Sequence, residues 1–321
     1  MQFDVVSIGA LLVEIMRKEL DQDFDQSGDF AGPFPSGDTP IFINAASKLG
    51  LKCGFIGTVG KDGFGKCVIE RLKQSGVDTS CVRTVDGIST AVTFVAYFKD
   101  GSRKFLYHLH NAAAALLSPE DVQAEYLKNT KWIHLSGFAL SGSESSRKAA
   151  LKMLDIISDD VKVSFDPNIR VEALGVVELK KIVQPIIERA CLFLPSSNEA
   201  MQILGLETNE QACELLAGRG KIVARKRGSK GCRIYAGNQK IDVPSFEIEE
   251  VDPTGAGDTF CAAFIKGLIK GWPLYDIGLY ANAAAALSIT KKGPMEGAPD
   301  SGEVEQFINS YNKEGGVQYG I

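Results

Sequence analysis

The sequence lacks the cysteine and histidine patterns of a disulfide-bonded or zinc-binding protein. It has no CxxC pair, its seven cysteines are odd in number and spread along the chain, and its three histidines lie far from most of them. Cysteines at regular short spacings are typical of disulfide frameworks and structural zinc sites. Their absence favours a reduced, cytoplasmic protein.

Long runs of one charge sign and long apolar runs are missing as well. The net charge is −5 and the signs are mixed, so we expect neither nucleic acid nor a membrane surface as a partner. No uninterrupted apolar run approaches the length of a membrane span. The apolar start is interrupted by Asp4 and Glu14 and has no basic leader, so we interpret it as a first strand rather than a signal peptide.

The sequence does have a regular alternation of strand-like and helix-like runs over 321 residues, 45% of them hydrophobic. This content supports a large buried core. The alternation predicts an α/β fold with a mainly parallel central sheet and helices on both faces. Strands are predicted at 3–10, 53–60, 131–137, 161–166, 191–195, 221–228 and 240–248, and helices at 40–50, 64–76, 144–157 and 178–190.

Two segments interrupt this alternation. Residues 15–36 are polar and contain glycine, and residues 88–110 alternate polar and apolar positions around a turn at 99–102. The second pattern is typical of a β-hairpin. We therefore predict one α/β domain spanning 1–321, with a small β-sheet lid formed by about 15–36 and 88–110.

The stretch VDPTGAGDTF, residues 251–260, joins a strand-like pattern to a helical one. Gly255 and Gly257 allow a tight turn whose N–H groups, with those of Ala256 and Asp258, would point to one spot at a helix N-terminus. Such a spot binds phosphate, and an aspartate there would accept a proton from an attacking hydroxyl. The residues alone equally allow an ordinary turn in which Asp258 caps the helix.

A second glycine-rich stretch, GKDGFGKC at residues 60–67, has the spacing of a P-loop and follows a strand. However, Cys67 stands where a Ser or Thr would coordinate magnesium. A thiol is a poor ligand for that hard cation, so a structural turn is the favoured interpretation.

Several polar residues at the ends of predicted elements are candidate ligands. Gly37 and Asp38 precede a helix, where Asp38 would either bind sugar-like hydroxyls or cap the helix. Glu14 is either a ligand for hydroxyls or a solvated residue. Asp166 and Arg170 follow a strand, where ligands of open α/β sheets collect, although a polar loop would look the same.

Two further features have alternative explanations. Glu199, in the first turn of a predicted helix, either complements the helix dipole or orients a magnesium-bound water. The basic turn at 225–232 either lines the phosphates of a nucleotide or forms an exposed hairpin.

VDPTGAGDTF is similar to the C-terminal signature of the ribokinase (PfkB) family of carbohydrate kinases, and further resemblance extends over nearly the whole chain. The other matching stretches are SGDTPIFINAASKLG, GTVGKDGFG, FDPNIR, RGSKG and ANAAAALSIT. The resemblance implies a ribokinase-like three-layer fold with a small β-sheet lid. It also implies transfer of phosphate from ATP, with magnesium, to a hydroxyl of a small sugar.

The resemblance implies roles for individual residues. Asp258 would be the catalytic base, and Glu199 would influence magnesium through a water. Asp252 matches a position associated with a monovalent cation such as potassium. The remaining residues implied are Gly255, Ala256 and Gly257 for the anion hole, Lys226, Gly228, Gly231 and Asn282 for the nucleotide, and Glu14, Gly37, Asp38, His108, Asp166 and Arg170 for the sugar.

Some positions depart from the family pattern. Ser196 replaces the asparagine of the NxxE motif, which bears on magnesium handling. His108 stands where 2-keto-3-deoxygluconate kinases tend to carry an arginine for the sugar acid. The loss of that arginine agrees with a neutral acceptor.

The stretches LLVEIM, GPFPSG and IFIN resemble a subgroup of ketose kinases of the tagatose or fructose type. We therefore expect a neutral ketose as substrate, with 2-keto-3-deoxygluconate as the alternative and a nucleoside as a further one. A non-catalytic sugar-binding regulator is a different possibility, against which the intact GAGD argues. Members of the family often pair through exposed lid edges, which implies a homodimer.

Overall fold

The computed structural model describes residues 2–170 and 174–315, which form thirteen strands and ten α-helices. The strands are β1 (Val5–Ile8), β2 (Leu12–Arg17), β3 (Phe30–Ser36), β4 (Cys53–Gly60), β5 (Asp78–Val85), β6 (Ala91–Tyr97), β7 (Arg103–His108), β8 (Trp132–Ser136), β9 (Lys162–Asp166), β10 (Leu192–Phe193), β11 (Ile222–Lys226), β12 (Cys232–Ala236) and β13 (Gln239–Val243). The helices are α1 (Asp38–Lys48), α2 (Gly63–Gln74), α3 (Ala124–Leu127), α4 (Glu144–Ile156), α5 (Val176–Arg189), α6 (Glu199–Leu204), α7 (Asn209–Gly218), α8 (Ala256–Lys270), α9 (Leu274–Ser288) and α10 (Ser301–Gly315).

In the described chain the large sheet has nine strands, in the order β13-β12-β11-β10-β9-β8-β1-β4-β5. Every pairing from β5 to β11 is parallel, and β12 and β13 add antiparallel strands at one edge. Connections between parallel strands place helices on the faces of a sheet, so such strands are buried on both sides. The prediction of a mainly parallel central sheet is confirmed.

Neighbouring residues of one strand pack into different cores. Val5 of β1 lies in the cluster beneath α1, α8 and α9, whereas Val6 lies in the cluster beneath α4 and α5. Successive side chains of a strand point to opposite faces. The large sheet is therefore the middle of three layers.

A separate small sheet has the strand order β3-β2-β6-β7. The apolar N-terminal stretch, predicted as one strand, is in fact two, because residues 9–11 carry the chain from β1 in the large sheet to β2 in the small one. The segments predicted as a lid contain β3, β6 and β7, while β2 begins earlier, at Leu12. Edge strand β5 escaped prediction because none of its residues is fully buried, which weakens its apolar pattern.

The glycine-rich turn after β4 is structural. Asp62 caps α2, because its Oδ1 accepts a hydrogen bond from the N–H of Gly65 at 2.8 Å. Its Oδ2 accepts another from the N–H of Thr90 at 2.7 Å. Lys66, the would-be P-loop lysine, instead pairs with Glu70 on the exposed side of α2. The amide of Gly65 at this helix start is thus bound to the chain's own carboxylate.

None of the helices in residues 2–170 and 174–315 is both long and apolar enough to cross a membrane.

Candidate active site

A cavity of about 540 Å³ lies between the two sheets. We call it the sheet cavity. Its lining includes Glu14 and Arg103 from the small sheet, and Asp166 and Lys226 from the last residues of β9 and β11. The carboxyl ends of parallel strands meet at one edge of a sheet, which is where open α/β folds bind ligands.

A second cavity, of about 850 Å³, adjoins the first. We call it the hairpin cleft, because it is lined by the turn between β11 and β12. Six residues line both cavities: Arg103, Ser196, Ser197, Lys226, Pro253 and Gly257. Two ligands, one in each cavity, would therefore meet at the junction that these six residues form.

The start of α8 lies at this junction. Gly255 has φ 86°, and a Cβ there would lie 2.5 Å from the carbonyl oxygen of Pro294, so glycine is required at this position. Ala256 lines the hairpin cleft and Asp258 the sheet cavity. No side chain caps the N-terminus of the 15-residue helix. The positive end of its dipole therefore stays available for an anion.

Asp258 faces the sheet cavity and does not cap its helix. Burial raises the pKa of its carboxyl well above the ordinary value, and the nearby charges of Asp38 and Asp166 raise it further. Lys226 and Arg170 act in the opposite direction. In its ionised form a carboxylate at this position could accept a proton from a hydroxyl, and its place in the cavity wall favours that role over a cap.

Lys226 forms a buried ion pair at the junction. Its Nζ lies 2.5 Å from Oδ2 of Asp166, and the two side chains are only 10% and 4% exposed. Burial acts to lower the pKa of Lys226, but the charges of Asp166, Cys261 and Glu199 together with the hydrogen bond to Asp166 outweigh it, and the net shift is upward. The thiol of Cys261 donates to the same carboxylate oxygen at 3.3 Å. Lys226 therefore presents a permanent positive charge to both cavities.

Asp38 is held by polar neighbours, and its Oδ1 accepts a hydrogen bond from the N–H of the next residue of α1 at 2.7 Å. Its Oδ2 accepts hydrogen bonds from the hydroxyl of Ser136 and from Nδ2 of Asn168, the latter at 3.2 Å. The preceding Gly37 has φ 107°, and a Cβ there would lie 2.3 Å from the carbonyl oxygen of Ala10. Both residues line the sheet cavity, and their role in binding a sugar stays a prediction.

Glu14 is buried in the wall of the sheet cavity. Its Oε1 accepts a hydrogen bond from the hydroxyl of Ser36 at 2.6 Å, while its Oε2 has no partner among the described residues. Burial raises the pKa of the carboxyl to about 7, against an ordinary value of 4.5. A buried oxygen without a partner is costly, so a ligand hydroxyl would be favoured there.

The two residues predicted to handle cations lie in different surroundings. Glu199 lines the sheet cavity and accepts backbone N–H bonds from Ile169 at 2.8 Å and Ser196 at 2.6 Å. Burial raises the pKa of its carboxyl. Asp252 lines neither cavity and accepts bonds from the N–H groups of Thr254 and Gly293. These two hydrogen bonds stabilise the turn before α8.

The residues predicted to bind the nucleotide line the hairpin cleft. Gly228 and Gly231 bound its hairpin turn, and at Gly231 (φ 73°) a Cβ would lie 2.1 Å from the carbonyl oxygen of Val243. The Nδ2 of Asn282 donates to the carbonyl oxygens of Val243 and Pro244. The basic turn is thus the wall of a cavity, not an isolated exposed hairpin.

His108 is not where the sequence analysis expected it. It is exposed and contacts the ring of Phe94 on the outer face of the small sheet. The cavity-facing residues of β7 are instead Arg103, Phe105 and Tyr107, at every second position. Because strand side chains alternate between faces, residue 108 has no bearing on the charge of a ligand in the sheet cavity. The alternation of RKFLYH was the only sequence signal for these three residues, and it does not say which face points inward.

The large sheet lies between two layers of helices, and a small second sheet lies beside it. Together with an uncapped helix start beside a carboxylate, this architecture defines a small-molecule kinase with the ribokinase-like fold. The family model of pfkB carbohydrate kinases matches residues 4–301, and the chain belongs to this family. It is therefore a phosphotransferase that acts on the hydroxyl of a sugar.

Known proteins support this assignment along the whole chain. Fructokinase-1 of Zea mays is 30% identical over 316 residues, covering 95% of this chain and 97% of its own. A 5-dehydro-2-deoxygluconokinase of Clostridium botulinum is 29% identical, covering 99% and 95%. The crystal structure of a candidate ribokinase II from E. coli in complex with ATP and Mg²⁺ is 37% identical, covers 96% and 99%, and has a TM-score of 0.90.

Proposed function

We propose that the protein transfers the γ-phosphate of ATP to a hydroxyl of a small neutral ketose of the fructose or tagatose type. The main structural support for this mechanism is that the first residues of α8 line two different cavities. Asp258 lines the sheet cavity, Ala256 lines the hairpin cleft, and Gly257 lines both. A sugar in the first cavity and ATP in the second would place the transferred group at the helix start.

In the proposed reaction Asp258 accepts the proton of the attacking hydroxyl while the bond between the γ-phosphorus and its bridging oxygen breaks. The amides at Gly255, Ala256 and Gly257 would stabilise the charge on the phosphoryl oxygens. Lys226, Gly228, Gly231 and Asn282 would hold the nucleotide. Glu14, Gly37, Asp38, Asp166 and Arg170 would hold the sugar, and closing the small sheet as a lid would exclude water.

The residues present suit a magnesium ion that arrives with ATP. Magnesium keeps several waters and takes one or two carboxylates besides phosphate oxygens. Among the described residues no group of three or more metal-binding side chains is found, which fits an ion held mainly by phosphate and water. Both oxygens of Glu199 already accept backbone bonds, so a contact through water suits it. A potassium ion near Asp252 stays a prediction.

The acceptor's identity rests on different support. Fructokinases are among the relatives of this chain, which supports a neutral ketose. A sugar acid of the 2-keto-3-deoxygluconate type is the second candidate, because Arg103 and Arg170 both line the sheet cavity and 5-dehydro-2-deoxygluconokinases are also relatives.

We also propose that the protein is cytoplasmic, because all seven of its cysteines are free.

The test is a coupled assay of ADP release with ATP and magnesium over ketoses, aldoses, sugar acids and nucleosides. We expect release to depend on the sugar and to be fastest with a neutral ketose. Fastest release with a sugar acid would replace the ketose by the second candidate. Sugar binding without release would instead indicate a non-catalytic regulator.

The buried carboxyl of Glu14 predicts a pH dependence of sugar binding. Because its pKa is about 7, the group gains the charge that attracts hydroxyl donors as pH rises through that value. We expect the KM for the sugar to fall several-fold between pH 6 and pH 8. In Glu14→Gln, KM should be higher at pH 8 and flat with pH. An equal pH dependence in both proteins would contradict the assignment.

The same shift has a consequence for stability. A pKa raised from 4.5 to about 7 means that the folded state holds its proton more tightly than the unfolded state. The resulting stability is present below pH 4.5 and is lost as pH rises to about 7, by about 3 kcal/mol for such a shift. Urea unfolding of the wild type and of Glu14→Gln at pH 4.5 and pH 8 measures this loss in the free energy of unfolding.

We also propose that the protein forms a homodimer through the outer face of the small sheet. There Phe94 contacts Phe30 and His108, while Phe30 and Leu106 are 37% and 45% exposed. Exposed apolar side chains beside unpaired sheet edges favour association. Light scattering should show a dimer for the wild type and a monomer for Leu106→Asp. A wild-type protein that is a monomer would refute the proposal.

A further inference from the structure

Arg103 is the one residue of the small sheet that lines both cavities. It is the first residue of β7 and lies on the strand's cavity-facing side. The other shared lining residues, Ser196, Ser197, Lys226, Pro253 and Gly257, all belong to the main body. The small sheet therefore contributes a single positive charge at the place where the two ligands would meet.

The contacts of Arg103 join it to the turn before α8. Its Nη1 donates to Oγ1 of Thr254 at 3.3 Å, directly before the glycine that starts the helix turn. The hydroxyl of Tyr97, on the adjacent strand, lies 3.5 Å from the same Thr254 oxygen. The small sheet thus rests on this turn through two side chains, and one of them is a guanidinium.

Most donors of this guanidinium remain available. An arginine has five N–H groups, and among the described residues no carboxylate forms an ion pair with Arg103. Its planar group lies 5.6 Å from the ring of Phe105, which limits where it can move. An arginine without an acidic partner at the mouth of a ligand cavity is suited to bind an anion.

The sheet cavity needs such a charge if a phosphoryl group is to enter it. Five carboxyl groups line it: Glu14, Asp38, Asp166, Glu199 and Asp258. Lys226 is already paired with Asp166. Both arginines act to lower the pKa of Glu14, but Arg170 lines only the sheet cavity, so it suits the acceptor. Arg103 is then the unpaired cation at the junction itself.

We propose that Arg103 is a catalytic residue that contacts the phosphoryl group during its transfer, an inference that rests on the proposed kinase function. As the acceptor oxygen bonds to the γ-phosphorus, the bond to the ADP oxygen breaks and Asp258 takes the acceptor's proton. Arg103 keeps its proton and donates hydrogen bonds to the phosphoryl oxygens. Transfer would then require the small sheet to be seated on the Thr254 turn, which couples closure to chemistry.

The test compares Arg103→Ala and Arg103→Gln with Lys104→Ala. Lys104 is the next residue of β7, is exposed and pairs with Asp23, so its loss leaves the junction intact. We expect kcat to fall about 10²–10³-fold in both Arg103 variants, as for the loss of one preorganised donor to a developing charge. KM for the sugar should stay within about three-fold of the wild type, and Lys104→Ala should match the wild type.

A chemical rescue separates contact with the phosphoryl group from a structural role. Guanidinium ion at millimolar concentration should restore part of kcat in Arg103→Ala and none in Arg170→Ala. Melting curves of Arg103→Gln, which keeps a donor for Thr254, check that the fold persists. A kcat within three-fold of the wild type, or a raised sugar KM at unchanged kcat, would overturn the inference. Absence of sugar-dependent ADP release in the wild type would instead refute the proposed function, and the inference with it.

Discussion

Replacing Asp258 by asparagine should lower the rate of sugar-dependent ADP release by about 10²–10⁴-fold, the range for loss of a general base. The amide cannot accept the hydroxyl proton, yet it keeps the shape of the carboxylate. The helix start should be unchanged, because Asp258 does not cap it. ATP should therefore still bind. A coupled assay measures the rate, and calorimetry measures ATP affinity.

Asp276→Asn is the matched control for this variant. Asp276 also lies in the first turn of a helix, α9, but it lines neither cavity. We expect it to keep the wild-type rate. If Asp258→Asn also turned over at close to the wild-type rate, the base would have to be another group and the mechanism would be wrong.

The second large effect is expected from Lys226→Met, which keeps the unbranched shape of the side chain, one atom shorter, and removes its charge. The variant would leave the carboxylate of Asp166 buried without its partner, near Asp258. Breaking one side of a buried pair costs about 3–5 kcal/mol, so the melting temperature should fall by roughly 10 °C. Nucleotide affinity should fall too, because the charge at the junction is lost.

Two further variants make this prediction specific. Lys148→Met breaks the exposed i,i+4 pair with Glu144 on α4, and such surface pairs contribute little to stability, so the melting temperature should not change. Adding Asp166→Asn to Lys226→Met removes the isolated charge and should recover part of the lost stability. If the single Lys226→Met variant melted at the same temperature as the wild type, the ion pair would contribute nothing to stability.

The central strands were predictable because each is a short apolar run followed by helical periodicity. Strands β8 and β9 lie within the predicted ranges 131–137 and 161–166, and α4 lies within 144–157. The errors have physical causes. The N-terminal run divides between two sheets although its apolar residues continue through the break at residues 9–11. Strand β5 is half-exposed at an edge and has no strong apolar pattern.

The site was predictable where it is local. Residues 255–258 form a single turn, so their glycines and carboxylate could be named together as a candidate anion site, with an ordinary capped turn as the equal alternative until the family resemblance was considered. The sequence could not predict which side chains of β7 face the sheet cavity. His108 was expected in the cavity because it stands where related kinases tend to carry an arginine. Shifting a strand by one residue exchanges its two faces, and the structure places Arg103 rather than His108 on the cavity side.

The sequence by itself indicated the class of reaction through its resemblance to the ribokinase (PfkB) family along nearly the whole chain, because the turn at 255–258 taken alone equally allowed an ordinary helix cap. Only the tertiary structure decided which side chains complete the site. Arg103 meets Thr254 across 151 residues of chain, and one oxygen of Glu14, itself in the small sheet, is buried in the wall of the sheet cavity without a partner among the described residues. Contacts of this kind depend on strand register and on the packing of one sheet against another, and no short stretch of sequence encodes either.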